Sequence, residues 1–192
     1  MSLTPSTMLS LGTQAPPFAL PDTDGNTLKL DDFRDEDVLV VIFMCNHCPY
    51  VKHIRKGLVD IANDYADKSV AFVGINSNDV EKQPEDRPEK MAEMVSAFSI
   101  PFPYLYDESQ DVAHKYRAAC TPDIFVFDDD RRLVYRGQFD GSRPGNDVPV
   151  TGSDLREAIE AVLEGRSVSA NQKPSMGCNI KWKPGNEPDY FG

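Results

Sequence analysis

The chain has 192 residues, with 20 Lys plus Arg against 31 Asp plus Glu and a formal net charge of −11. At roughly 150 residues per domain this length favours one domain, large enough to fold without disulfide staples. The acidic balance argues against nucleic acid and anionic membranes as partners, and 40% hydrophobic with 27% charged residues excludes a disordered chain. No stretch reaches the roughly 18 consecutive apolar residues of a membrane span. The N-terminus lacks the basic-then-apolar order of a signal peptide. Four cysteines are too few for a stapled secreted fold, so the expected compartment is the reducing cytoplasm. Closely spaced cysteines there signal redox chemistry or metal binding.

Residues 1–14 read as a loose leader. Residues 16–20 and 27–30 read as a β-hairpin around an Asp-Gly-Asn turn. The apolar, β-branched run 38–44 predicts a strand covered on both faces. After Pro49, Val51, Ile54, Leu58, Ile61, Ala62 and Tyr65 recur at helical spacing, predicting a helix over 49–66. Residues 70–75 are a second buried strand, which completes a right-handed βαβ unit. Residues 76–87 read as a long polar loop whose carboxylates suit solvent better than a metal. Helices follow at 88–98 and 111–116, then a strand at 123–127 and its antiparallel partner at 133–139. The last predicted helix runs from Ser153, its expected cap, to about Leu163. From residue 166 the chain loses periodicity and reads as a tail, although it carries Cys178 and the one tryptophan, Trp182.

Cys45-Asn46-His47-Cys48 stands where the first buried strand gives way to a helix. A helix start carries unpaired N–H groups and partial positive charge, and both favour a thiolate. Such a setting lowers a thiol pKa from about 8.5 to about 3.5–7.5. Two intervening residues let both sulfurs face one side of the first turn. Cys45, taken as nearer the exposed end, is expected to attack, and Cys48, one turn inward, to resolve the mixed disulfide. His47 is either a cation tuning Cys45 or a solvated loop residue. His53 and His114 read as ordinary helix residues.

A second feature is Cys120-Thr121-Pro122 ahead of the 123–127 strand. A proline at the start of a strand is tolerated, and a cis Thr121–Pro122 bond would turn the Thr121 backbone toward the cysteines, ready to bond an extended substrate. Cys120 and Cys178 are candidates for additional redox roles. The alternatives are a buried, inert thiol for Cys120 and an exposed tail thiol for Cys178 that reaches several partners.

This order of parts resembles the thioredoxin fold: Cys-x-x-Cys after a buried strand, a βαβ crossover, then Thr-Pro leading into a hairpin and a last helix. Pro16-Pro17-Phe18 with its hairpin, and the run from Cys120 to Asp128, are similar to the redoxin branch of AhpC/TSA proteins, which spans peroxiredoxins and TlpA/ResA-like oxidoreductases. The tail from Pro174 to Lys183 resembles a bacterial peroxiredoxin-like subgroup. The resemblance covers about residues 15–165. It implies an α/β, thioredoxin-like fold, a central mixed sheet flanked by helices, with an N-terminal hairpin and a C-terminal extension (166–192). It also implies Cys45 as nucleophile, Cys48 as resolving cysteine and Pro122 as cis-proline.

The departures are specific. Met44 stands where thioredoxins usually have Trp, and the 38–43 strand carries no buried acid. In the peroxiredoxin pattern Pro-x-x-x-Thr-x-x-Cys, with Cys48 as the peroxidatic residue, Cys45 replaces Thr and Val41 replaces Pro. The expected activity is therefore thiol–disulfide exchange through Cys45 and Cys48, with His47, Thr121 and Pro122 shaping the site. It would need no cofactor or resident metal. Its partners would be protein or small-molecule disulfides and thiols, peroxides and an upstream reductant. The alternatives are a thiol peroxidase and a non-enzymatic zinc or copper carrier using Cys45, Cys48, His47, Cys120 and Cys178.

Overall fold

The computed structural model describes residues 3–190. Its centre is a five-stranded mixed sheet. The strand β4 (Val38–Phe43) lies in the middle, parallel to β5 (Val70–Asn76) and antiparallel to β8 (Asp123–Phe127). β6 (Tyr104–Tyr106) extends the sheet beyond β5, and β9 (Leu133–Gly137) closes the other edge against β8. Every residue of β4 is buried, as its unbroken apolar run requires. Strand alternation splits it between two cores. Val38, Val40 and Ile42 face a cluster with helices α1 (Pro49–Asp64), α2 (Pro88–Phe98) and α4 (Ser153–Leu163). Leu39, Val41 and Phe43 face a cluster with α3 (Asp111–Tyr116), Phe18 of the N-terminal segment and Trp182 of the tail.

The predicted hairpin is present as β2 (Ala19–Pro21) and β3 (Thr27–Lys29). Asp22 builds its turn by accepting the Asp24 and Asn26 N–H groups at 2.9 and 2.8 Å. The helices and strands expected after it are all found, and three short strands are added: β6, one at Cys120–Thr121 and one in the tail. Three residues framed by Pro101 and Pro103 on one side and a turn on the other give too little pattern to predict β6.

The ends depart from expectation. Of the leader, residues 1–2 lie outside the described residues, and the rest is not loose. β1 (Leu3–Pro5) pairs with β10 (Met176–Asn179), and Gly12 and Thr13 bond to Leu133. The tail is not loose either. β10 lies between β1 and β7 (Cys120–Thr121), and Ile180 and Trp182 behind it are buried. The last helix is also capped otherwise than expected. Its cap position is Gly152 at φ +66, and Ser153 makes no capping bond. Asp140 instead accepts the Thr151 and Gly152 N–H groups at 2.7 and 2.6 Å.

Candidate active site

β4 delivers the cysteines to the C-terminal edge of the sheet, and α1 starts at once because Pro49 suits a first helical turn. Cys48 is the residue that caps α1. Opposite it, β7 ends at Thr121, and the Thr121–Pro122 peptide is cis. Thr121 touches both sulfurs. Its Oγ1 is 3.3 Å from Cys45 Sγ, and its carbonyl oxygen is 3.1 Å from Cys48 Sγ, a contact that holds while Cys48 is a thiol. The structure thus brings together Cys45, His47, Cys48, Thr121 and Pro122, as the sequence suggests.

Exposure differs from expectation. Cys45 is not at an exposed end: both Cys45 and Cys48 have 0% of their surface accessible. The strand β10 packs against both β7 and α1 and covers them. Cys178 is no exposed tail thiol; it is buried opposite Thr121, with its sulfur in hydrogen-bonding reach of Cys48. Cys120 is buried too, donates to the Pro122 carbonyl at 3.6 Å, and has its pKa raised by burial.

The two sulfurs of the pair are electrostatically unlike. Cys48 is lowered, first by the hydrogen bond it accepts from the Cys45 thiol, against the cost of burial, with help from Cys178, Thr121 and the Val51 N–H of the first helical turn. Cys45 is raised by burial, by the same bond to Cys48 and by the negative charge of Asp86. The pair therefore titrates as a unit, and the first proton lost is favoured from Cys48.

Asp86 is the residue that sequence reasoning missed. The loop expected to be solvated folds inward, so that Asn76, Ser77, Asn78, Asp79 and Asp86 are buried. Asp86 Oδ1 accepts the Asn46 and His47 N–H groups at 2.8 and 3.1 Å. Its Oδ2 accepts His47 Nδ1–H at 2.6 Å and Asn78 Nδ2 at 2.8 Å. Burial raises this carboxyl, but the His47 bond and charge and the other donors outweigh it and leave the pKa lowered. His47 Nδ1 lies 3.6 Å from Cys45 Sγ, and its 2.6 Å bond to Asp86 orients the ring there. No periodicity marks Asp86; the one local hint is its place in a short turn, Pro84–Asp86, just before the proline that starts α2. A second acid, Asp123, is fully buried at the start of β8 and pushed up to about 7 by burial.

Cys45, His47 and Asp86 place their ligand atoms within 4.8 Å of one another. Asp86 already accepts four N–H groups, and one is the Nδ1–H that a metal on that nitrogen would displace. The donor set therefore suits an orienting hydrogen-bond cluster better than a metal site.

A central sheet of this order, with Cys-x-x-Cys at the β4–α1 junction facing a cis-proline, defines a thioredoxin-like fold. Solved structures of a thioredoxin and a disulfide-interchange protein share the fold at 20% and 21% identity, with TM-scores of 0.62 and 0.66. A profile of the AhpC/TSA family matches residues 11–136, and the chain belongs to that family. A conserved protein of Geobacillus kaustophilus, known by its crystal structure, is 56% identical, covering 96% of this chain and 98% of that one, with a TM-score of 0.94. A protein of Mycobacterium tuberculosis H37Rv named as a peroxiredoxin is 31% identical over 144 residues, 69% of this chain and 87% of that protein. The thiol-disulfide oxidoreductase ResA of Geobacillus kaustophilus is 27% identical over 163 residues, 84% of this chain and 80% of that protein. Both names denote oxidoreductase enzymes. Among the described residues no helix is long and apolar enough to cross a membrane.

Proposed function

We propose that this protein is a thiol–disulfide oxidoreductase that cycles Cys45 and Cys48 between two thiols and a disulfide. The observation that supports this most is the paired sulfur geometry: Thr121, beside the cis-proline, touches both sulfurs, and Cys48 is the N-cap residue of α1. On this reading the roles are the reverse of those expected from sequence, because the Cys48 pKa is lowered and the Cys45 pKa raised. Cys48, held as thiolate, attacks a substrate disulfide, and Cys45 resolves the mixed disulfide by closing on Cys48. Thr121 positions both sulfurs, and Asp86 with His47 holds the loop between them. The partners on this reading are disulfide-bearing molecules and a reductant, met in the cytoplasm. Residues 15–165 form the thioredoxin-like unit on this reading, and the segments before and after it add strands and core side chains to it.

Turnover of 5,5′-dithiobis(2-nitrobenzoate) or insulin with a coupled reductant tests the reading. Cys45→Ser and Cys48→Ser should each lower it by about a thousandfold or more, the scale on which loss of a nucleophile is felt. Wild-type turnover in Cys48→Ser would overturn it. In the wild type, thiolate absorbance should persist well below the ordinary thiol pKa of about 8.5 and vanish on further acidification, because Cys48 is lowered. A peroxide substrate is the second reading, favoured by the relative named as a peroxiredoxin. It requires rapid second-order thiol loss with hydrogen peroxide, which Cys45 in place of the pattern's threonine disfavours.

A further inference from the structure

We infer that β10 is an internal substrate strand, and that Cys178 exchanges with the Cys45–Cys48 disulfide at the Cys48 sulfur. The inference rests on the dithiol reading above and adds a third sulfur to it.

An extended peptide is recognised when its main chain completes an exposed strand edge. Here the edge beside the cis-proline is filled by the chain itself. β10 runs antiparallel to β7, with Cys178 opposite Thr121 and Asn179 opposite Cys120. The strand sits down closely because Gly177 has no side chain: a Cβ there would lie 2.0 Å from the Thr121 carbonyl oxygen and 2.7 Å from its carbon. That approach sets the next side chain, Cys178, beside Cys48. Cys45, Cys48 and Cys178 are buried in one cluster, and the Cys178 sulfur is in hydrogen-bonding reach of Cys48. Cys120 donates to Pro122 instead and takes no part.

The chemistry balances without an outside oxidant. The Cys178 sulfur gives up its proton and attacks Cys48 Sγ. The Cys48–Cys178 bond forms as the Cys45–Cys48 bond breaks, and Cys45 leaves as thiolate and takes a proton. Two electrons stay shared in one disulfide throughout, so the step is an isomerisation. Its product ties β10 covalently to the start of α1 and shuts the site. With Cys45–Cys48 closed instead, hydrogen bonds and packing alone hold β10, and it can lift to admit a substrate.

Disulfide mapping of the full chain tests this. Reduced protein is treated with one equivalent of diamide, freed of oxidant, incubated, quenched in acid, alkylated and digested. The wild type should yield both the Cys45–Cys48 and Cys48–Cys178 linkages. Cys45→Ser should yield several-fold more of the second, and Cys178→Ser the first alone. Absence of the Cys48–Cys178 linkage from wild type and Cys45→Ser, with Cys45–Cys48 still closing in Cys178→Ser, would overturn the exchange and leave the dithiol reading intact. Absence of both linkages everywhere would overturn both. The wild-type measurement does not depend on any variant folding.

Discussion

Asp86 does the most work of any single side chain outside the sulfurs. Its carboxylate gathers two backbone N–H groups of the Cys-x-x-Cys loop, the His47 ring and the Asn78 amide, all away from solvent. A hydrogen bond to a buried charged group is worth about 1.5–3 kcal/mol. Asp86→Asn should lose stability on that scale in chemical denaturation at neutral pH. The sign with pH follows from the lowered pKa. The contribution is fully present above the unfolded carboxyl value of about 3.9 and is lost as pH falls through the lower folded value. The gap between wild type and Asp86→Asn should therefore close on acidification below about pH 4; a gap that is constant with pH would show that the charge is not what stabilises the loop. The same substitution removes a charge that raises Cys45, so the dithiol titration should move to lower pH.

Among the elements, β10 decides access to the site. It is four residues long, yet it joins β1 to β7, shields Cys48 and carries Cys178. Its seat depends on Gly177, where an added methyl group meets main-chain atoms that cannot rotate aside. Overpacking of this kind costs about 1–3 kcal/mol, and 1.4 kcal/mol is a factor of ten in an equilibrium. Gly177→Ala should therefore raise the rate at which 5,5′-dithiobis(2-nitrobenzoate) modifies the dithiol by about tenfold or more. An unchanged rate would mean that reagent reaches the sulfurs by another path. Beside Pro122 lies a cleft lined by Tyr50, His53, Ile54, Phe139 and Met176, and Met176 belongs to β10 itself, so lifting the strand would enlarge that cleft.

Across the whole molecule, the tail belongs to the folded unit. Trp182 is 2% exposed, with its ring centroid 4.7 Å from that of His114 and 6.5 Å from that of Tyr190. Its carbonyl accepts from Lys82, and the Lys181 N–H beside it donates to Asn78 Oδ1, which joins the tail to the loop carrying Asp86. Trp182→Ala should cost about 3–5 kcal/mol in urea unfolding, as for other large core deletions. A loss below about 1 kcal/mol would place the tail outside the cooperative core. The sequence alone determined the local parts: the buried β4 run, the α1 stripe, the hairpin turn and the cysteines at a strand-to-helix junction. Each is written in the spacing of neighbouring residues, so periodicity and turn chemistry suffice to find it. Tertiary structure alone decided that Asp86 holds the loop between the cysteines and that Cys178 lies beside Cys48. Those contacts join residues 39 and 130 positions apart through packing and burial, beyond the reach of any local spacing.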